Sequence, residues 1–144
     1  MTASREAIYA ALFALVKSAA PFKLTSRRLK LWADVNSSQK PALFVVQRPQ
    51  TYVQGSTATP QKVTLEAEII IYTDAGKDPN FIPATELNTL VDAVDQALAG
   101  SVITGNQTLG GLVAHCWIEG KVFIDPGDLD GDGLAIIPVK ILIP

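Results

Sequence analysis

The sequence has 144 residues and a mass of 15.4 kDa, which is the size of one ordinary domain. Its content of 48% hydrophobic and 18% charged residues excludes a disordered chain, and its longest apolar stretches are too short to span a bilayer. A lone cysteine, Cys116, excludes an internal disulfide and a thiolate cluster for zinc or iron–sulfur binding. We therefore expect one soluble domain over residues 1–144, made in a reducing cytoplasm, and we find no secretion-signal pattern.

The net charge of −2 hides an uneven distribution along the chain. Residues 1–62 carry nine Lys or Arg against two acids, a net of +7, whereas residues 63–144 carry three Lys against twelve acids, a net of −9. If the fold keeps these halves apart, each subunit offers opposite poles to its neighbours, which favours head-to-tail association. The simpler interpretation is that a sheet interleaves the halves and mixes the charges in space.

The first predicted element is an amphipathic helix over residues 4–18, with Ser4 as its N-cap. Pro21 ends it, and residues 23–30 are predicted to form a basic, irregular connector. Residues 31–35, LWADV, are predicted to form a short strand.

A turn over residues 36–41 leads into the continuous apolar run 42–47, ALFVVQ, which predicts a central strand covered on both faces. Residues 48–62 are rich in Pro, Gly, Thr, Ser and Gln and are predicted to protrude. The next segment, 62–74, alternates apolar and polar residues as a strand does. One of its faces is predicted to hold Val63, Leu65, Ala67, Ile69 and Ile71, and the other Thr64, Glu66, Glu68, Ile70 and Tyr72.

A second helix is predicted over residues 83–98, with Pro83 as its first residue and Gly100 placed to close its C-terminus. Strands are predicted within LVAHCWIEG, KVFI and LAIIPVKILI, the last preceded by the acidic turn DPGDLDGDG. Helix, strands, helix, strands is not a βαβ alternation. The order predicts an α+β fold, with an antiparallel or mixed sheet of about four to six strands, two helices packed on one face, and a protruding loop or hairpin.

The acidic turn resembles half of a calcium-binding loop. Asp128, Asp130 and Asp132, followed by Gly133, match the D-x-D-x-D-G pattern in which carboxylates converge on one cation. The closing position, where a bidentate glutamate is needed, is Val139, and strands flank the loop. A solvated hairpin turn is therefore the favoured interpretation, with weak calcium or magnesium binding as the alternative.

Other candidate catalytic groups have simpler explanations. His115 and Cys116 are adjacent, so in a strand their side chains point to opposite faces and cannot form a nucleophile–base pair. Glu66 and Glu68 share one strand face at a spacing that suits acid–base chemistry, but the ordinary alternation of a surface strand explains them equally well. We predict no catalytic residue.

Phosphate-binding features are weak as well. The glycines at 110–112 and nearby do not form a phosphate-binding loop that opens a helix. A basic cluster with two aromatic neighbours could meet nucleic acid, although a solvated loop or an interface rim explains it more simply. The cluster consists of Lys23, Arg27, Arg28 and Lys30, with Phe22 and Trp32 nearby. No cofactor-binding or metal-binding residue is predicted.

The order of elements and several sequence segments resemble those of a known protein family. The segments are PALFVVQ, LEAEIIIYTDAG, ELNTLVDAVDQAL and GGLVAHCWIEG, with a closing hydrophobic strand. Over residues 5–144 the sequence resembles the tail terminators of long-tailed bacteriophages, which are minor tail proteins that complete the tail. The likeness lies in the order of the elements and in these sequence segments rather than in an invariant motif.

The resemblance implies a non-enzymatic virion protein at the head–tail junction. It implies a homo-oligomeric ring, usually a hexamer, that caps the head-proximal end of the tail tube and presents a docking surface to the head connector or stopper. Its partners would be other copies of itself, the tube protein and the connector, with DNA passing through the hole without specific binding and with no membrane. Acids of the C-terminal half would line that hole. Alternatives are another head–tail joining protein, a small nucleic-acid-binding module, or a small hydrolase using Glu66, Glu68 or the Asp128 loop.

Overall fold

A computed structural model describes residues 3–144 of the protein and shows an α+β fold of two helices and a six-stranded mixed sheet. The elements in chain order are α1 (Arg5–Lys17), β1 (Leu24–Ser26), β2 (Ala42–Val53), β3 (Lys62–Asp74), α2 (Pro83–Ala97), β4 (His115–Ile118), β5 (Phe123–Asp125) and β6 (Asp132–Leu142). The predicted fold class is confirmed.

The long strands β2, β3 and β6 form the centre of the sheet, whose order is β1-β2-β3-β6-β4. Strand β1 runs parallel to β2, and all other pairs are antiparallel. Strand β5 pairs with the end of β6 that β4 leaves free. Strands β4 and β5 therefore both depend on β6, which joins them to the rest of the sheet.

Both helices pack on one face of the sheet, which we call the helix face. Helix α1 begins as predicted, because the Ser4 hydroxyl accepts a hydrogen bond from the Ala7 amide at 3.1 Å. Its Tyr9 is fully buried, and the hydroxyl donates to the Glu66 carbonyl at 3.1 Å, which ties the helix to β3. Other core residues of this face are Ile8, Leu12, Val16, Leu43, Leu65, Ile69, Leu87, Leu90, Val94, Ile137 and Ile141.

The opposite face, which we call the open face, carries a smaller apolar cluster at one end of the sheet. It is formed by Phe44, Ile70 and Tyr72, with Leu134 and Ile136 packed against them. The alternation predicted for residues 62–74 is confirmed, because odd-numbered side chains from Leu65 to Ile71 enter the helix-face core and Ile70 and Tyr72 enter this cluster.

Two predictions for the segment before β2 were wrong. The connector at 23–30 contains β1, whose Leu24 pairs with Ala42, and the strand predicted at 31–35 is a 3-10 turn at Trp32–Asp34. The reason is long-range packing. The Trp32 ring meets the Tyr72 ring edge-on at 4.9 Å, and the Tyr72 hydroxyl donates to the Lys30 carbonyl at 2.7 Å, so the segment folds over the open face instead of pairing at its edge.

The protruding segment at 48–62 is a hairpin and not a long loop. Strand β2 continues to Val53 and β3 begins at Lys62, with a register shift between Arg48 and Thr51. Pro49 lies inside that shift, where a residue without an amide proton interrupts pairing least. Residues 51–62 are all exposed. We call residues 48–62 the arm.

The prediction that Gly100 closes α2 was also wrong. The C-cap of α2 is Leu98. A side chain at Gly100 would collide with the backbone of Gly105, so glycine is needed there for a close approach of two loop segments. The helix start was predicted correctly, since Pro83 occupies its first turn.

The strand order places the basic half and the acidic half of the chain side by side in the sheet. Strands β1 and β2, from the basic half, lie on one side of β3, whereas β4, β5 and β6, from the acidic half, lie on the other. The sheet therefore does not interleave the halves, although the ion pair of Arg48 with Glu68 joins them at the centre.

Candidate assembly surfaces

The arm is held in place by the first residue of α1. The Arg5 guanidinium donates to the Gln50 side chain at 2.8 Å and hydrogen-bonds the Tyr52 hydroxyl, and it lies 6.0 Å from the centre of the Tyr52 ring. Tyr52 and its neighbour Val53 are each about half exposed, at 51% and 53%. The arm thus presents the Tyr52 ring, oriented by Arg5, on one face of the hairpin and the Val53 side chain on the other.

A row of charged side chains crosses the open face next to the arm. Arg48 on β2 pairs with Glu68 on β3 at 2.9 Å, and Lys140 on β6 pairs with Glu119 at 2.6 Å. Glu66 lies between them, directly opposite Arg48 on one side and Lys140 on the other. The lysine lowers the pKa of Glu119, chiefly through that hydrogen bond. Glu66 and Glu68 were considered as an acid–base pair, but the structure places them in this row of alternating charges.

At the other end of the open face lies an apolar groove of about 410 Å³. Its floor consists of Ile70, Tyr72, Leu134 and Ile136, and one wall consists of Leu29 and Trp32. The opposite wall is made by three carboxylates: Asp125, Asp130 and Asp132. Sequence reasoning missed this groove. Its parts come from distant segments, and the sequence signal is that the even-numbered residues of β3 and β6 change from apolar at Ile70 and Ile136 to charged at Glu68 and Lys140.

The acidic turn has the geometry of a hairpin turn. The Asp130 carboxylate accepts a hydrogen bond from the Asp132 amide at 2.9 Å, and the Asp125 carboxylate accepts one from the Gly127 amide at 3.1 Å. Gly131 has a φ of +80° and abuts the Gly76 backbone, so both its conformation and its space require glycine. Within residues 3–144 no group of three or more His, Cys, Asp or Glu side chains could hold a metal ion.

His115 and Cys116 separate as predicted. Cys116 is fully buried in the helix-face core, where burial raises the pKa of its thiol to about 12. The His115 ring stacks on Trp117 at 5.0 Å, and its Nδ1 accepts a hydrogen bond from the Gln107 amide at 3.1 Å. Each side chain has a structural role.

The basic cluster does not form a nucleic-acid-stacking platform. Arg27 is paired with Glu6 of α1, which lowers the pKa of that carboxyl by a direct hydrogen bond. Trp32 is packed between Tyr72 and the ammonium of Lys40, which lies 3.5 Å from the centre of its ring. Phe22 packs against the helix-face core. Of the six residues of the cluster and its aromatic neighbours, Lys23, Arg28 and Lys30 are the exposed ones.

No helix among the described residues is both long and apolar enough to cross a membrane.

Comparison with known proteins gives a likeness in structure only. No family model matches the sequence, and no curated protein matches it either. The protein is similar to a chain in a solved structure of the virion of a native gene transfer agent particle. The similarity covers 99% of this chain and 98% of that one, with a TM-score of 0.56 and 12% sequence identity. At that identity the comparison establishes a shared fold.

Proposed function

We propose that this protein is a structural component of a phage-like virion, and more specifically a tail terminator that forms a ring on the head-proximal end of the tail tube. The observation that carries the proposal is the end-to-end likeness to a chain of a gene transfer agent virion. The family resemblance of the sequence, which rests on different evidence, supports the same class of protein.

Three features of the chain agree with a role in assembly. The arm exposes about half of Tyr52 and of Val53 to solvent, and Arg5 contacts the Tyr52 side chain, which suits a contact surface. The strand order sets a basic and an acidic side next to each other, which suits head-to-tail contacts. The candidate catalytic groups are engaged in packing or ion pairs, as Cys116 and Glu68 illustrate.

A ring on the tube would let DNA pass through its hole. Exposed carboxylates of the acidic half, such as Asp92 and Asp95 on α2, are candidates to line it, because a negative wall repels the DNA backbone. The exposed basic residues Arg28 and Lys30 would then face a neighbouring protein.

Negative-stain microscopy of the purified protein, alone and mixed with tail tubes, tests the proposal. We expect rings that cap one end of each tube, and tubes that stop growing when the protein is added during polymerisation. A protein found on isolated heads and not on tails would instead be a connector or stopper. A salt-sensitive shift of labelled duplex DNA, without rings or capping, would favour the nucleic-acid-binding alternative.

A further inference from the structure

The arm and the groove form a complementary pair of surfaces that one chain cannot bring together. We propose that the arm of one copy docks in the groove of a second copy, and that this contact links the subunits of the ring. The inference rests on the proposed function for the ring, but the contact itself can be tested without phage components.

The groove has the chemistry of a receptor for an apolar segment with cations beside it. Leu134 and Ile136 leave part of their surface exposed on its floor, and Leu29 in its wall is 45% exposed. The facing wall carries the carboxylates Asp125, Asp130 and Asp132. An occupant that covers the floor while placing a cation near these carboxylates would satisfy both surfaces.

The arm has the matching composition. It contains two cations, Arg48 and Lys62, and no carboxylate. Arg48 pairs with Glu68 on its own sheet, so Lys62, with Arg5 at the base of the arm, supplies the charge for a partner's carboxylates. Tyr52 supplies a large ring whose position is already fixed by Arg5, so docking loses little side-chain freedom. An aromatic anchor with basic neighbours is a common centre of protein–protein contacts.

The geometry excludes docking within one chain. The arm joins β3 at Lys62, whereas the groove lies beside Tyr72 on the same strand. Ten residues of extended strand separate these points by roughly 33 Å. Because the two strands of the arm stay paired from Thr51 to Val53, the hairpin continues away from the groove and does not fill it, so the occupant must come from another molecule. A second copy of the chain carries an arm whose basic charge complements the carboxylates of the groove.

Engineered cysteines test the contact directly. In the double variant Gln54→Cys with Leu29→Cys, one thiol lies on the arm two residues after Tyr52, on the same side by strand alternation, and the other lies in the groove wall. The native Cys116 is fully buried. Under mild oxidation we expect covalent multimers larger than a dimer on a non-reducing gel. Each single variant can form at most a dimer, because it has one reactive thiol.

A matched control replaces the groove cysteine by one elsewhere. Val102 is fully exposed in the loop after α2, outside both surfaces, so Gln54→Cys with Val102→Cys offers two thiols without the docking geometry. We expect far fewer multimers from it. Equal yields from the two double variants would overturn the proposal, as would a wild-type protein that stays monomeric by light scattering at high micromolar concentration.

A second measurement is independent of cysteine chemistry. Tyr52→Ala should weaken self-association about tenfold or more, as expected for a buried aromatic anchor, while Val102→Ala leaves it unchanged. Unfolding curves of both variants check that the subunit is intact. Rings that persist in Tyr52→Ala would refute the arm contact but leave the tail-terminator role standing, whereas cross-linked multimers that do not cap tubes would refute that role but retain the contact.

Discussion

The side chains on the two faces of the sheet have different roles. On the helix face, the side chains of β2, β3 and β6 are sealed under α1 and α2, as shown by Ile69 and Ile137, which are both fully buried. On the open face, alternate residues of the same strands form a row of charges and a groove that solvent can enter. One face therefore holds the fold together, and the other is available for contacts with a partner.

The two faces can be compared most directly by substituting Ile136 and Ile137, which are adjacent on β6. Ile137 is fully buried in the helix-face core, and Ile136 is only partly buried at the groove. Ile137→Ala should lower the free energy of unfolding by about 3 to 4 kcal/mol, and Ile136→Ala by about 1 to 2 kcal/mol, because a surface site leaves less of a cavity. Urea unfolding of the monomer measures both. Equal losses would mean that the open face contributes to the core as much as the helix face does.

A substitution at Thr73 should have a smaller effect on the free energy of unfolding, and of opposite sign. It is 1% exposed, and within residues 3–144 its hydroxyl has no hydrogen-bond partner. Thr73→Val keeps the shape of the side chain and removes the unsatisfied hydroxyl, so it should raise the free energy of unfolding by about 1 kcal/mol. The control is Thr64, which is partly exposed on the open face. Thr64→Val should change the free energy of unfolding by less than about 0.5 kcal/mol. Loss of stability in Thr73→Val would show that the hydroxyl is satisfied in solution.

Asp132 separates subunit stability from assembly. It pairs directly with Asp74 across β3 and β6, so two carboxylates oppose each other at the rim of the groove. Asp132→Lys should stabilise the monomer by about 0.5 kcal/mol, and Asp132→Asn by less, because the like-charge pair is removed. Thermal melting at low salt in dilute solution measures this effect. If the arm docks there, the same two changes weaken self-association in the same order.

The smallest effect concerns pH and the row of charges on the open face. Because Lys140 lowers the pKa of Glu119 in the folded protein, the pair stabilises the fold above the ordinary carboxyl pKa, and this contribution is lost as the pH falls through the lowered value. Glu119→Gln should therefore lower the urea midpoint slightly at pH 7 and leave it unchanged at strongly acidic pH. High salt should shrink the difference at pH 7. A difference that persists in acid would mean that packing, and not charge, is responsible.

The local pattern of the sequence was enough to predict the two helices, strands β3 and β6, and the first half of β2. Ser4 and Pro83 mark helix starts by their own chemistry, and the strict alternation of residues 62–74 assigns each side chain to a face without reference to any other segment. The hairpin turn at Asp130 was favoured for the same reason, since its hydrogen bonds are made within a few residues.

Only the tertiary structure decided the elements that depend on distant partners. Strand β1 exists because Leu24 meets Ala42, and Trp32 lies in a 3-10 turn because its ring packs on Tyr72, forty residues later in the chain. The groove likewise joins segments around Leu29, Ile70 and Leu134. The sequence by itself thus determined the periodic elements and their faces, because periodicity is local. The order of the strands, and hence the placement of charge and groove, was decided by packing between segments that no local pattern connects.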